Sequence, residues 1–324
     1  MTGPAQAMEH SPPRVINKSH DLDLARIHAL LGEISSPHFW QSLAPGSTIT
    51  GEPFGAASPS GALASDEGSR YVMRLCEDGY FQTPPRVDAT TLDEMLRCVD
   101  AVMRQGLPPI FALVYDVFYR ACASFHPALV AVLGERYRLI PNFWVYHIAP
   151  SEEDRGFEPH RDAEYCDTIR PDGLPTVITA WIAITEATPL NGCMYILPRG
   201  RDPEYAAAVH DLQKGATRYA VQDVRAVPAL PGTMSCWNQY VFHWGSRSSK
   251  WSPWPRVSYA MYFQRGDVPP VDRSALAVPS AISFEKRLGI ILRGILRYSF
   301  VGLGQSTGAE RIIEFARTYT SLLG

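Results

Sequence analysis

Five short stretches decide the fold: NFWVYHI at 142–148, TVITAWIAIT at 176–185, CMYILP at 193–198, TMSCW at 233–237 and RVSYAMYF at 256–263. Each is rich in β-branched and aromatic residues, and turn-forming residues lie between them. Many short strands with no regular helices between them predict a mainly β protein with flanking helices. Its core, at about 140–267, should be a sandwich or jelly roll.

Working outward, Thr91-x-x-Glu94 has the spacing of a capping box. Leu92, Met95, Leu96, Val99, Val102 and Met103 follow at helical period, and Gly106 supplies a stop. Residues 109–123 and 127–133 read as further helices, the second opened by Pro127 and closed by Gly134. A short helix is predicted over 22–31, ended by Gly32, and two more over about 283–298 and 309–322. Residues 1–20 read as a flexible tail. The Gly-, Ala-, Ser- and Pro-rich stretch from Pro45 to Ser69 reads as a long loop. The expectation is one domain over 21–324.

Composition closes off whole classes. With 46% apolar and 19% charged residues, the chain is neither disordered nor collagen-like. Thirty Lys+Arg against 33 Asp+Glu leave a net charge of −3, so no global basic field draws it to nucleic acid. No run of 18 apolar residues predicts a transmembrane segment. Six cysteines include no C-x-x-C pair, which argues against a zinc ribbon or a thioredoxin-like site. The N-terminus lacks the apolar stretch of a signal peptide, and a reduced, cytoplasmic chain is the simplest reading.

Chemistry concentrates in EPHRDAEY, residues 158–165, which contains His160-x-Asp162. In extended chain, residues i and i+2 point to one side, so imidazole and carboxylate can meet one ion. His243, in NQYVFHWGS, is the best third candidate. Two histidines and a carboxylate make the facial triad of non-haem Fe(II) oxygenases, with three coordination positions left open. Alone the motif is weak. Nine histidines yield roughly half an H-x-D by chance, and a surface hydrogen-bonded pair or a packed core histidine has the same pattern. Downstream, Arg256 and Ser258 share one face of a predicted strand. A guanidinium fork plus a hydroxyl is what the distal carboxylate of a 2-oxo diacid requires. Arg247 in the nearby loop is a rival, and a strand-end salt bridge is the plain alternative for Arg256.

Taken in order, EDGYF (77–81), the helix after Thr91, LVAVLGERYRLIPNFWVYHI (129–148), PHRDAEY (159–165), AWIAITEATPLNGCMYILPRG (180–200), ALPGTMSCWNQYVFHWGS (229–246) and PRVSYAMYF (255–263) resemble one family. It is the phytanoyl-CoA dioxygenase-like group of Fe(II)/2-oxoglutarate oxygenases. The resemblance runs from about Tyr71 to Asp267. It implies a double-stranded β-helix of jelly-roll, cupin-like type, with Fe(II) held by His160, Asp162 and His243. It further implies 2-oxoglutarate anchored by Arg256, and Trp181 and the Asn191-Gly192 turn bordering the site. The reaction it implies consumes O2, releases succinate and CO2 and oxidises a C–H bond of a small-molecule substrate. Asp162 argues against a halogenase, which needs a small residue there. The chain departs from the family at Pro231-Gly232-Thr233 and Pro198-Arg199-Gly200-Arg201, neither of which touches a proposed ligand.

Other features stay open at this point. Asn142, Tyr146, His147 and Tyr165 flank the triad strands and are candidates for the pocket wall or for ordinary packing. The insert at 199–222 is expected to cover the substrate mouth. Trp237, Trp244, Trp251 and Trp254 cluster near His243, with core and rim packing the plainer role. FEKRLGIILRGILRYSF (284–300) sets Lys286, Arg293 and Arg297 opposite Leu288, Ile291, Leu292 and Ile295. That amphipathic pattern suits packing on the barrel, a homo-oligomer contact through the C-terminal helices or, less readily, a membrane surface. The competing class for the whole chain is a jelly-roll metal protein without oxygenation, such as a zinc hydrolase or a sensor.

Overall fold

The computed structural model describes residues 24–51, 63–64, 66–211, 218–298 and 307–322. The tail expected at 1–20 lies outside them, as do residues 52–62 and 65 of the loop expected at 45–69. Helices α1 (Leu24–Glu33), α2 (Pro37–Leu43) and α3 (Glu67–Glu77) lead to strand β1 (Tyr80–Gln82). Then come α4 (Ala89–Arg104), a 3-10 turn at Pro109–Val114, α5 (Asp116–Ala123) and α6 (His126–Leu133). The β region runs β2 (Tyr137–Ile148), β3 (Val177–Ala183), β4 (Met194–Leu197), α7 (Tyr205–Asp211), β5 (Arg225–Val227), β6 (Met234–Asn238), β7 (Phe242–Gly245), β8 (Arg256–Arg265) and β9 (Leu276–Ala277). Helices α8 (Phe284–Arg297) and α9 (Thr307–Leu322) close the described chain.

All five predicted strands form, in two antiparallel sheets ordered β1-β6-β3-β8-β2-β9 and β5-β4-β7. Period-two alternation explains why they read as almost unbroken apolar runs. In β3, Ile178, Ala180 and Ile182 join the core shared with the helices, while Trp181 and Ala183 join Met194, Ile196 and Val227 of the small sheet. In β8, Val257, Tyr259, Met261 and Phe263 take the helix side. Arg256, Ser258 and Ala260 therefore share the opposite face, as the i, i+2 spacing requires. With both faces covered, little solvent-facing polar alternation remains to be read.

Several expectations are corrected. "Mainly β" understates the helices, which hold more of the described residues than the strands do. The capping box is three residues out of register: the helix starts at Ala89, and the N-cap Asp88 accepts from the Thr91 backbone N–H at 2.9 Å. Glu94 instead pairs with Arg120 at 2.7 Å. Asp88→Ala should therefore destabilise the chain by about 1 kcal/mol in a denaturant melt, and Thr91→Ala by less. The helix expected at 109–123 breaks at Tyr115, which is extended and separates the 3-10 turn from α5. The end of the Pro45–Ser69 stretch is already helix α3.

The amphipathic helix expected at 283–298 is α8, and its apolar face is covered by the chain itself. Leu288, Ile291, Leu292 and Ile295 are buried against the 3-10 turn, β2 and α9. Arg287 is buried too, paired with Asp116 at 2.5 Å. No helix among the described residues is long and apolar enough to cross a membrane.

Candidate active site

His160 and Asp162 stand on the loop between β2 and β3, and His243 on β7. Two backbone bonds fix them together: His160 N–H donates to His243 C=O at 3.0 Å, and His243 N–H to His160 C=O at 2.9 Å. The side chains are then oriented one by one. His160 Nδ1 faces Glu158 C=O at 2.6 Å, and His243 Nδ1 faces Val241 C=O at 2.9 Å. A carbonyl only accepts, so Nδ1 carries the proton in both rings and each Nε2 keeps its lone pair. Those Nε2 atoms lie 3.5 and 3.8 Å from Asp162 Oδ1. Three ligand-type atoms converge within 4.8 Å, the geometry of a metal centre.

Asp162 is held by its other oxygen. Oδ2 accepts from Thr179 Oγ1 at 2.6 Å and from Trp237 Nε1 at 3.0 Å, and Gln239 Nε2 donates on to Thr179 at 3.3 Å. Burial pushes the Asp162 carboxyl up. The His243 and His160 imidazoles and the Thr179 hydroxyl outweigh that and hold it well below the usual carboxylate range. Burial pushes the His243 imidazole down to about 4, against the opposing pull of Asp162, so it is neutral at pH 7. A carboxylate oxygen and two imidazole nitrogens suit a divalent ion. Ala163, next in sequence, sits at φ 35, a strained conformation for a residue with a Cβ, and its N–H is tied to Gln239 C=O at 2.8 Å.

Arg256 opens β8 one strand face away. It is 1% exposed and has no ion pair among the described residues. Its nearest partners are Met194 Sδ at 3.8 Å and the rings of Tyr146 and Trp181 at 5.6 and 5.8 Å. Burial lowers the guanidinium to about 10, which leaves it charged at pH 7. Gly156 and Gly245 make room for it, since a Cβ at either would come within 3.0 or 3.1 Å of a guanidinium nitrogen. Ser258 Oγ and Trp181 Nε1 are also buried without a hydrogen-bond partner. A buried cation with no counter-ion costs several kcal/mol, so this cluster is built for an anion.

Triad and Arg256 line one cavity of about 320 Å³, together with Asn142, Tyr146, Phe157, Glu164, Trp181, Trp237, Tyr262 and Tyr298. Of the sequence candidates, Asn142, Tyr146, Trp181 and Trp237 line it. His147, Tyr165, Trp244, Arg247 and Ser258 are not among its wall residues, and Trp251 and Trp254 are exposed. Two implied features are corrected. The Asn191-Gly192 turn packs on Ser246 and not on the cavity, and no described residue of the 199–222 insert lines it. Instead the insert supplies Asp202, whose carboxylate forms a buried ion pair with Arg161, between the two ligands of the loop.

Sequence reasoning missed Thr179, Gly156, Gly245, Glu164 and Tyr298. Thr179 had a weak signal, a lone hydroxyl two residues before Trp181 on one strand face. Thr179→Val should weaken iron binding roughly 10-fold by freeing Oδ2. Iron titration by calorimetry checks it, and an unchanged constant would mean that Thr179 does not hold the carboxylate.

Residues 120–251 match the family model of phytanoyl-CoA dioxygenase (PhyH). The matched stretch includes His160, Asp162 and His243 and stops short of Arg256. Among solved structures the chain is similar to the non-heme monooxygenase ThoJ, at 17% identity over 76% of this chain and 99% of that one, with a TM-score of 0.51. It is also similar to the non-heme alpha-ketoglutarate-dependent carbocyclase SnoK from nogalamycin biosynthesis. That match has 16% identity over 69% and 99% of the two chains and a TM-score of 0.50. At such identities the likeness concerns the fold. A search of the curated proteins finds no match.

Proposed function

We propose that this chain is an Fe(II)/2-oxoglutarate-dependent oxygenase that uses O2 to hydroxylate an unactivated C–H bond of a small metabolite or natural-product intermediate. One atom of O2 goes to the product and the other to succinate, with release of CO2. The single observation that carries the proposal is Arg256, a buried charge without a counter-ion beside a convergent His-Asp-His set. A zinc hydrolase has no use for it. In this reading the two sheets are halves of a double-stranded β-helix within one cytoplasmic oxygenase domain over 21–324. The six free cysteines suit a reducing compartment.

His160 Nε2, Asp162 Oδ1 and His243 Nε2 would hold the iron. Bound iron and 2-oxoglutarate supply oxygen activation by oxidative decarboxylation. The chain does the rest. Thr179 and Trp237 occupy Oδ2 and keep Oδ1 turned inward. Arg256 would fork onto the distal carboxylate of 2-oxoglutarate, and Trp181 would wall the cosubstrate. Tyr146, Phe157, Trp237 and Tyr262 exclude water, so the oxidising equivalents meet substrate and not solvent.

The test is anaerobic. Adding 2-oxoglutarate to the Fe(II) protein should give a visible metal-to-ligand charge-transfer band, and no band would refute cosubstrate chelation. Asp162→Gly should cut hydroxylation by at least about 100-fold, since losing only a residue that orients a metal ligand already costs about 10–100-fold. Chloride admitted to the vacated position would then show as a chlorinated product by mass spectrometry. Hydroxylation at the wild-type rate in this variant would remove Asp162 from the ligand set.

A further inference from the structure

The cavity has a polar end that the metal and cosubstrate leave unused. A register shift between Ile140 and Phe143 takes Pro141 and Asn142 out of the β2–β8 ladder, Pro141 having no N–H to give. Asn142 Nδ2 donates to Glu164 Oε2 at 3.0 Å, and Asn142 Oδ1 accepts from the Tyr298 hydroxyl at 2.8 Å. Arg297 Nη2 lies 3.3 Å from Glu164 Oε2. Tyr298, the residue after α8, packs edge-on against Trp144 at 5.3 Å and Phe157 at 5.8 Å, and Phe157 against Tyr146 at 5.9 Å. The last turn of a distant helix thus completes an aromatic wall around one carboxylate.

Charge bookkeeping narrows what fits. Among the described residues, the arginine and lysine cations of the wall are Arg161 and Arg256. Arg161 is committed to Asp202, and Arg256 to the cosubstrate. The acids Glu158 and Glu164 remain, each with an arginine beside it, Arg155 at 2.5 Å and Arg297 at 3.3 Å. A substrate carboxylate or phosphate would find no wall cation, and an ammonium would bring an unbalanced charge to a carboxylate that Arg297 already balances. A hydroxyl donates to Glu164 without that cost.

We infer that this cavity selects an uncharged, flat or cyclic apolar substrate whose hydroxyl is read by Glu164, with Asn142 and Tyr298 holding that carboxylate in place. The inference rests on the oxygenase reading, because it counts Arg256 as occupied. It also places the phosphates of any CoA thioester outside the cavity.

Three probes on one skeleton test it: 2-naphthol, 2-methoxynaphthalene and 2-naphthoate, titrated calorimetrically and without oxygen into the Fe(II)/2-oxoglutarate protein. The naphthol should bind at least about tenfold tighter than either of the others, the size of one charge-assisted hydrogen bond. Glu164→Leu should erase its advantage over the ether, and Glu164→Gln should relax the rejection of naphthoate. Tyr298→Phe should fall between wild type and Glu164→Leu. Equal binding of all three by wild type, no binding of any, or full discrimination in both Glu164 variants would overturn the inference. The wild-type ranking decides even if a variant fails to fold. Loss of the charge-transfer band on adding 2-oxoglutarate would fault the oxygenase reading instead, so the two failures are distinguishable.

Discussion

His243→Ala is expected to abolish iron binding and turnover while the chain stays folded. His243 is 2% exposed, its Nδ1 proton is committed to Val241, and its Nε2 faces Asp162 Oδ1 at 3.8 Å. Structural metal sites with four ligands bind with about 10–16 kcal/mol, so one ligand is worth roughly 3 kcal/mol, a factor of about 100 or more in affinity. The fold cost is smaller, because the mutual backbone bonds between His160 and His243 survive in alanine. His160→Ala should lose iron as completely, with even less effect on melting, since its side chain is 27% exposed. Colorimetric iron content, succinate release and a circular dichroism melt on the three proteins check this. A variant that kept wild-type iron affinity and turnover would dissolve the triad.

How far the sequence reached follows from how local each signal is. Strands such as TVITAWIAIT were legible because their composition is set by burial on both faces, a property each residue carries with it. The ligand pair His160 and Asp162 was legible because two neighbours in extended chain must share a side. His243 became credible only through the order of the surrounding segments. What failed was non-local or a matter of register. Thr91-x-x-Glu94 matches a capping box by type, yet Asp88 wins the cap because its side chain reaches the Thr91 N–H. Helix α3 begins inside a stretch that reads as loop by composition, where Glu67 is buried against Arg86 and Tyr71. Tyr298 belongs to α8 by sequence and to the cavity by tertiary packing, and no spacing rule connects it to Asn142. Gly156 and Gly245 look like loop glycines until the Arg256 guanidinium is seen between them.

Arg256→Lys is the second large effect, and it separates this oxygenase reading from any other metal site on two packed sheets. A fork on the distal carboxylate makes two charge-assisted hydrogen bonds of about 1.5–3 kcal/mol each, so losing it should cost roughly 2–5 kcal/mol. That is a loss in 2-oxoglutarate affinity of roughly 30-fold to several thousand-fold. Lysine keeps the charge but not the planar fork, so Arg256→Lys should recover only part of what Arg256→Ala loses. Iron affinity should barely move, because Arg256 touches none of the three ligand side chains. The control is Arg247→Lys: Arg247 stands in the loop after β7, where its backbone bridges Arg155, and is not among the cavity's wall residues. Titration of 2-oxoglutarate into each Fe(II) protein under argon, followed by the charge-transfer band, ranks them. A large loss in the Arg247 variant with none in the Arg256 variant would move the anchor into the loop. No loss in either would leave a buried guanidinium without an anion, and the unpartnered charge would need another ligand altogether.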